Sequence, residues 1–282
     1  MKKMNKPEND IAFILDNCIV GMREPRKKII EQVKDTIIEK SDKYDQLADQ
    51  GLLYTIPEHD NVNLIASKED MKFLYSQKFV SKGQRNRDYY DKIRSSAPNG
   101  ICPYCQQNMV DTLDHFLPKS KYVTFTVTPF NLVPVCAHCN KDKLASTFSS
   151  YAEQPFHPYY DDFDDCIWLK AKMIEHKEIT FQFYADPPEN IEPVKAERIK
   201  RSFSDGGFGL NNIYKVHAAE VYQVCFKGIK SLYDKGGKEL AVESLSENVK
   251  NERSINKNSW KAAMYQAMID CNWYWSEYIC SL

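Results

Sequence analysis

Apolar positions recur at helical spacing over much of this chain. From 24 to about 50, Ile29, Ile30, Val33, Ile37 and Ile38 fall on one face and Lys, Glu and Asp on the other, which predicts an amphipathic helix closed by Gly51. Residues 55–62 read as a loop. Ser67-Lys68-Glu69-Asp70 has the form of a capping box, opening a helix with Phe73, Leu74 and Phe79 inward. After 192 the pattern is helical again, over about 194–203, 212–233, 239–252 and 259–279. The last of these carries Trp260, Met264, Met268, Cys271, Trp275 and Tyr278 as a stripe that suits either a core or an interface.

Between these helical regions the period changes. Thr112 to Leu117 and Asn131 to Val135 read as two short strands, and 137–147 as a helix. Residues 178–184 alternate as a strand, paired with 167–172. The expected class is therefore α+β and mostly α-helical. The expected organisation is an N-terminal helical region at 1–97, a central module at 98–160, and a C-terminal region of short strands then helices at 161–282. There is no internal repeat and no low-complexity segment.

The central module carries the chemistry. Cys102/Cys105 and Cys136/Cys139 form two Cys-x-x-Cys pairs. Each turn aims two thiolates at one point, and two turns give the four sulfurs of a closed tetrahedral Zn²⁺ site. The gap between the pairs exceeds the usual zinc-ribbon spacing, so the excess folds between the knuckles. It holds Asp114-His115, stopped by Pro118, and then Asn131; Asn140 follows Cys139 and Lys143 comes one turn later.

Phosphodiester hydrolysis needs a deprotonated water, charge compensation on the phosphate and a Lewis acid for the leaving oxygen. His115 suits the base, since imidazole titrates near working pH. Asp114 and Asn140 are hard oxygen ligands for Mg²⁺ or Mn²⁺. Strand alternation puts Asp114 and His115 on opposite faces unless the strand relaxes into a loop. Lys143 shares a helix face with Asn140, either to contact a phosphate or as a solvated side chain. His157, in Phe156-His157-Pro158-Tyr159-Tyr160, is either a further phosphate or metal contact or a packing element closing the module.

These residues resemble the HNH endonucleases, the ββα-metal fold. That family's pattern is a first His often preceded by Asp, a middle Asn, then a His or Asn on the helix. His115 with Asp114, Asn131 and Asn140 match it, and the Asp-His-x-x-Pro and Cys-x-x-Cys-Asn-x-x-Lys forms belong to a zinc-clipped branch. The resemblance implies His115 as general base and Asp114 and Asn140 as ligands of one catalytic metal. It also implies Asn131 as a residue that fixes the loop and helps orient His115. The layout of the chain further resembles the HNH nucleases of bacterial anti-phage systems of the Septu and retron-associated kinds, which work with an ATPase partner.

Composition refines this picture. The 282 residues carry a formal net charge of −1, so no global basic footprint marks a nucleic-acid binder, and such a surface must be local or supplied by a partner. The stretch 81–94 interleaves Lys82, Arg85, Arg87, Lys92 and Arg94 with Tyr89 and Tyr90. It reads either as a phosphate and base contact or as a solvated helix with its tyrosines in the core. The N-terminus starts basic, but acidic residues surround its apolar run and no small-residue cleavage site follows, which does not fit a signal peptide. No stretch is long and apolar enough to span a membrane. Of nine cysteines, four go to zinc; Cys18, Cys166, Cys225, Cys271 and Cys280 are read as buried thiols of a cytoplasmic protein.

Three readings of the module differ in what they need. A metal-dependent nuclease acting on DNA, or on RNA, needs Asp114, His115 and Asn140. A zinc-stabilised binding module without catalysis does not need them. A zinc hydrolase of small molecules needs an open zinc position, which four cysteines close.

Overall fold

Periodic burial along the first long helix sets the frame for the N-terminal half. In a computed structural model that describes residues 1–143, 147–176 and 178–281, α2 spans Arg26–Asp49 and buries Ile30, Val33, Ile37, Tyr44 and Ala48. The chain leaves it through Gly51, whose φ of 71° suits a residue without a Cβ. The apolar run before it is itself a helix, α1 (Ile11–Val20), burying Ile11, Ile14, Leu15, Cys18 and Ile19.

The segment expected as a loop at 55–62 ends in structure. Asn61–Val62 (β1) pairs antiparallel with Ala66–Ser67 (β2). Asn63 and Leu64 turn the chain at positive φ, and the Asn61 side chain accepts from Leu64 N–H at 2.8 Å. The capping box is present: Ser67 Oγ accepts from Asp70 N–H, Asp70 accepts from Ser67 N–H at 3.1 Å, and α3 runs Lys68–Phe73. Beyond it the helix widens into a π-turn over Leu74–Phe79. Leu74 and Phe79 lie five residues apart, so the wider i to i+5 winding lets both bury fully.

In α4 (Arg87–Arg94) Tyr89 and Tyr90 are core residues. Its cations are answered locally: Arg87 and Arg94 by Asp91, Lys92 by Glu8. The stretch 81–94 thus takes the core-packing reading for its tyrosines. Strands β3 (Thr112–His115) and β4 (Leu132–Val135) pair antiparallel, with Asp114 opposite Val133 and His115 opposite Leu132. Helix α5 (Ala137–Lys143) follows; the expectation of helix on to 147 runs through 144–146, which lie outside the described residues. Leu113, Val123, Val127 and Leu132 share one core with α1, α2 and the π-turn. The helical front and the cysteine-bracketed module therefore form one compact unit, Met1–Asp162.

The second unit is Phe163–Leu282. Its hairpin, β5 (Leu169–Ile174) with β6 (Thr180–Ala185), pairs Leu169 with Ala185 and Ile174 with Thr180. The side chain of Asn258 ties the approach to this hairpin, accepting from Trp168 N–H and Leu169 N–H and donating to Cys166 O. After α6 (Pro193–Phe203), α7 runs Leu210–Ile255 and is interrupted at Gly236-Gly237, with Gly237 at φ 73°. This break separates two helical stretches, as expected for 212–233 and 239–252.

The expected helix at 259–279 is interrupted at Cys271: α8 is Trp260–Asp270, and winding resumes as a π-turn over Tyr274–Tyr278 and a 3-10 turn over Ile279–Ser281. The Trp275 indole N–H reaches back across the break to the carbonyls of Met268 (2.9 Å) and Ile269 (3.1 Å), which the helix end would leave unpaired. Trp260, Met264, Met268 and Trp275 are buried, so the aromatic stripe is core. The cysteines outside the cluster differ from expectation too. Cys18 is buried, Cys166, Cys225 and Cys271 are half-buried, and Cys280 is exposed. The fold is mostly helical with small sheets, an α+β protein. Among the described residues no helix is long and apolar enough to cross a membrane.

Candidate active site

The two knuckles are tight backbone turns. Cys102 N–H donates to Asn108 O, Gln106 N–H donates to Cys102 O, and Gln106 adopts φ 55° to close the first. The second opens α5. All four thiols are buried, and their sulfurs lie within 4.8 Å of one another. Cys105 and Cys136 are 3.9 Å apart, close to the ~3.8 Å edge of a tetrahedron built on Zn–S bonds of about 2.3 Å. N–H groups of Asn108 and Cys139 point at the sulfurs of Cys105 and Cys136. Burial pushes the Cys102 thiol up, while hydrogen bonds from Cys102, Cys105 and Cys139 hold the Cys136 thiol well below its usual range. Four buried sulfurs this close together fit a shared cation that takes thiolates, and the cluster is compatible with zinc.

His115 closes β3 and is 6 % exposed. Its Nε2 lies 2.9 Å from the carbonyl oxygen of Thr126. A carbonyl only accepts, so Nε2 carries the hydrogen and Nδ1 keeps the lone pair. The Tyr75 ring packs edge-on against the imidazole, centroids 4.6 Å apart. Burial, with the Lys119 cation second, pulls the imidazole pKa down to about 3. His115 is therefore neutral near neutral pH, with Nε2 tied and the lone pair of Nδ1 left over.

Asp114 belongs to the opposite face of the strand and is also buried. Its Oδ2 lies 2.6 Å from Lys143 Nζ, as an ion pair without hydrogen-bond alignment. Burial pushes its carboxyl up, and Lys143 opposes the shift. Lys143 Nζ also donates to His115 O at 2.9 Å and is 3 % exposed. It acts as the counter-charge of Asp114, which replaces the expected open phosphate contact. Asn140 stands one turn earlier on α5, half-buried, and its amide makes no hydrogen bond among the described residues. Asp114 and Asn140 together are a sparse set of hard oxygens, of the kind that suits Mg²⁺ or Mn²⁺ with water and substrate filling the other positions.

Asn131 is fully buried and saturated. Its Oδ1 accepts from Leu117 N–H (2.7 Å) and Tyr44 Oη–H (3.2 Å), and its Nδ2 donates to Leu117 O (3.0 Å) and Phe125 O (3.1 Å). It pins both ends of the loop that carries Thr126. His157 lies behind it, also fully buried, stacked on Phe116 with centroids 4.0 Å apart. Tyr159 N–H donates to its Nδ1, so its Nε2–H faces Tyr44 Oη at 3.2 Å. A relay results: His157 to Tyr44 to Asn131. Of the two readings of His157, the structure takes the packing one.

Sequence reading missed Tyr75, Tyr44 and three lysines near His115. Lys68, Lys72 and Lys119, with Ser120 and Thr126, line a cavity of about 200 Å³. Only the i, i+4 spacing of Lys68 and Lys72 was visible in the sequence, and a lysine pair on a short helix has little meaning until the fold brings Lys119 to it.

Comparison with known proteins begins at the level of class. Residues 102–145 match the HNH endonuclease family model, and the chain has this domain together with its four-cysteine cluster. The matched segment takes in Asp114, His115, Asn131, Asn140 and Lys143. Over nearly its whole length the chain is also similar to protein ea31 of Escherichia phage lambda, 27 % identical over 290 residues, covering 95 % of this chain and 97 % of that protein. No solved structure matches.

Proposed function

We propose that the chain is a metal-dependent endonuclease that hydrolyses phosphodiester bonds in nucleic acid, with DNA the favoured substrate and RNA the second. The observation that carries this reading is the geometry of His115: its Nε2–H is held by the Thr126 carbonyl, which leaves the lone pair on Nδ1, within a matched HNH segment. In this reading Nδ1 takes a proton from the attacking water. Asn131 holds the Thr126 loop, so that the carbonyl and the imidazole keep their register. Asp114 and Asn140 would hold Mg²⁺ or Mn²⁺, which when bound supplies charge compensation for the phosphate and the leaving oxygen. The zinc cluster braces α5 against the approach to β3 and takes no part in the chemistry.

The test is His115→Ala assayed on plasmid DNA and total RNA with added Mg²⁺ or Mn²⁺. Cleavage is expected to fall on the order of a hundred- to ten-thousand-fold while zinc content and folding stay as in wild type. Cleavage at the wild-type rate would leave the zinc-stabilised binding module as the better description.

The layout of the chain also supports a role as the nuclease effector of an anti-phage complex with an ATPase partner in the cytoplasm. The similar protein of phage lambda comes from a phage, so the effector role rests on the resemblance to defence nucleases alone. Purification from the native host under mild salt tests it: an ATPase that co-elutes and alters cleavage is the expected result.

A further inference from the structure

Three lysines line one cavity on the far side of the Thr126 carbonyl that holds His115, and none of them is in an ion pair among the described residues. Lys68 and Lys72 share one face of α3, four residues apart. Lys119 comes from the turn after β3, and its ammonium lies over the Tyr75 ring, 4.5 Å from the centroid. Tyr75 is the same ring that packs against His115. Thr126, on the cavity wall, is the residue whose carbonyl holds His115 Nε2. The base and the cavity thus have one wall in common and one aromatic support.

Lys119 is held below its usual range, first by burial and then, against the pull of Asp114, by the nearby charge of Lys72. Like charges gathered in a small cavity are unfavourable until an anion joins them. Each ammonium is a compact charge with three donors, which suits the oxygens of a phosphate. The chain as a whole has a net charge of −1, so this cavity is a local site and not one patch of a basic surface.

We propose that the cavity formed by Lys68, Lys72, Lys119, Ser120 and Thr126 is a subsite for a backbone phosphate of a nucleic-acid strand, next to the phosphate that is cleaved. It rests on the nuclease reading for what is cut at His115, but not for the binding itself. The lysines position the strand and touch no reacting atom.

The full-length chain carrying His115→Ala, zinc-loaded and without added divalent cation, is titrated with a fluorescein-labelled DNA duplex at several salt concentrations. Adding Lys72→Gln, an exposed and structurally cheap change, is expected to weaken binding several-fold and to lower the slope of log K against log salt by about 0.9. Lys72→Arg should restore both, and Lys121→Gln, in the same loop but paired with Glu58, should change neither. Lys119→Gln is expected to act as Lys72→Gln does. With His115 present, Lys72→Gln should raise KM and leave kcat. Unchanged affinity and salt slope in Lys72→Gln/Lys119→Gln, with normal zinc content, would overturn the subsite while leaving the nuclease assignment standing. Loss of binding in those variants of a protein that cuts nothing would keep the subsite and remove the nuclease reading.

Discussion

Lys143 shows how one side chain can serve two neighbours. Its ammonium neutralises the buried Asp114 carboxylate and caps the carbonyl of His115. Lys143→Met should therefore leave a buried carboxylate without its counter-charge and cost about 3–5 kcal/mol, read from urea unfolding. The pair Asp114→Asn/Lys143→Met should recover much of that loss, because no charge is then stranded. At this scale the sequence shows a spaced set of candidate residues and not what holds their side chains. Asp114, His115, Asn131 and Asn140 were visible as a spaced motif. Tyr75, Tyr44 and Lys119 were not, because their meaning comes from distances between segments as remote as α2 and the Thr126 loop. His157 stayed ambiguous in sequence for the same reason: only the fold shows Phe116, Tyr44 and Tyr159 around it.

Elements were legible where a local signal specifies them. The capping box at Ser67, the helix at α2 and the pairing of β5 with β6 all follow from residues a few positions apart. The π-turn at Leu74–Phe79 and the early end of α8 were not legible, since each depends on a side chain buried by distant partners or reaching back to a helix end. The capping box gives a test at this scale. Ser67→Ala should cost about 1 kcal/mol. Burial alone would raise the Asp70 carboxyl, but the Ser67 hydroxyl and the Arg26 guanidinium hold it below its usual value. The folded value is depressed, so the stabilisation from Asp70 is full above about pH 4 and fades as pH falls through that lower value. Asp70→Asn should then be less stable than wild type at pH 6, with the gap closing in acid, as followed by urea midpoints.

The whole molecule depends on the cysteine cluster for its central segment. Cys102→Ser or Cys136→Ser should lower zinc content and solubility together, because a metal's binding energy is part of the folding energy; metal analysis of the purified variants checks both. A second dependence comes from the relay of His157, Tyr44 and Asn131. Two of its three members, Tyr44 on α2 and His157, lie outside the matched residues 102–145. So does Tyr75, whose ring packs against His115. A peptide cut to those matched boundaries should take up zinc yet leave its 116–130 loop in many conformations, with few amides protected from hydrogen exchange, whereas residues 1–162 should protect them. The matched segment is thus a poor cassette. Moved alone into another protein, it would bring its cysteine clip and the letters of its motif without the grammar that α2 and the π-turn supply.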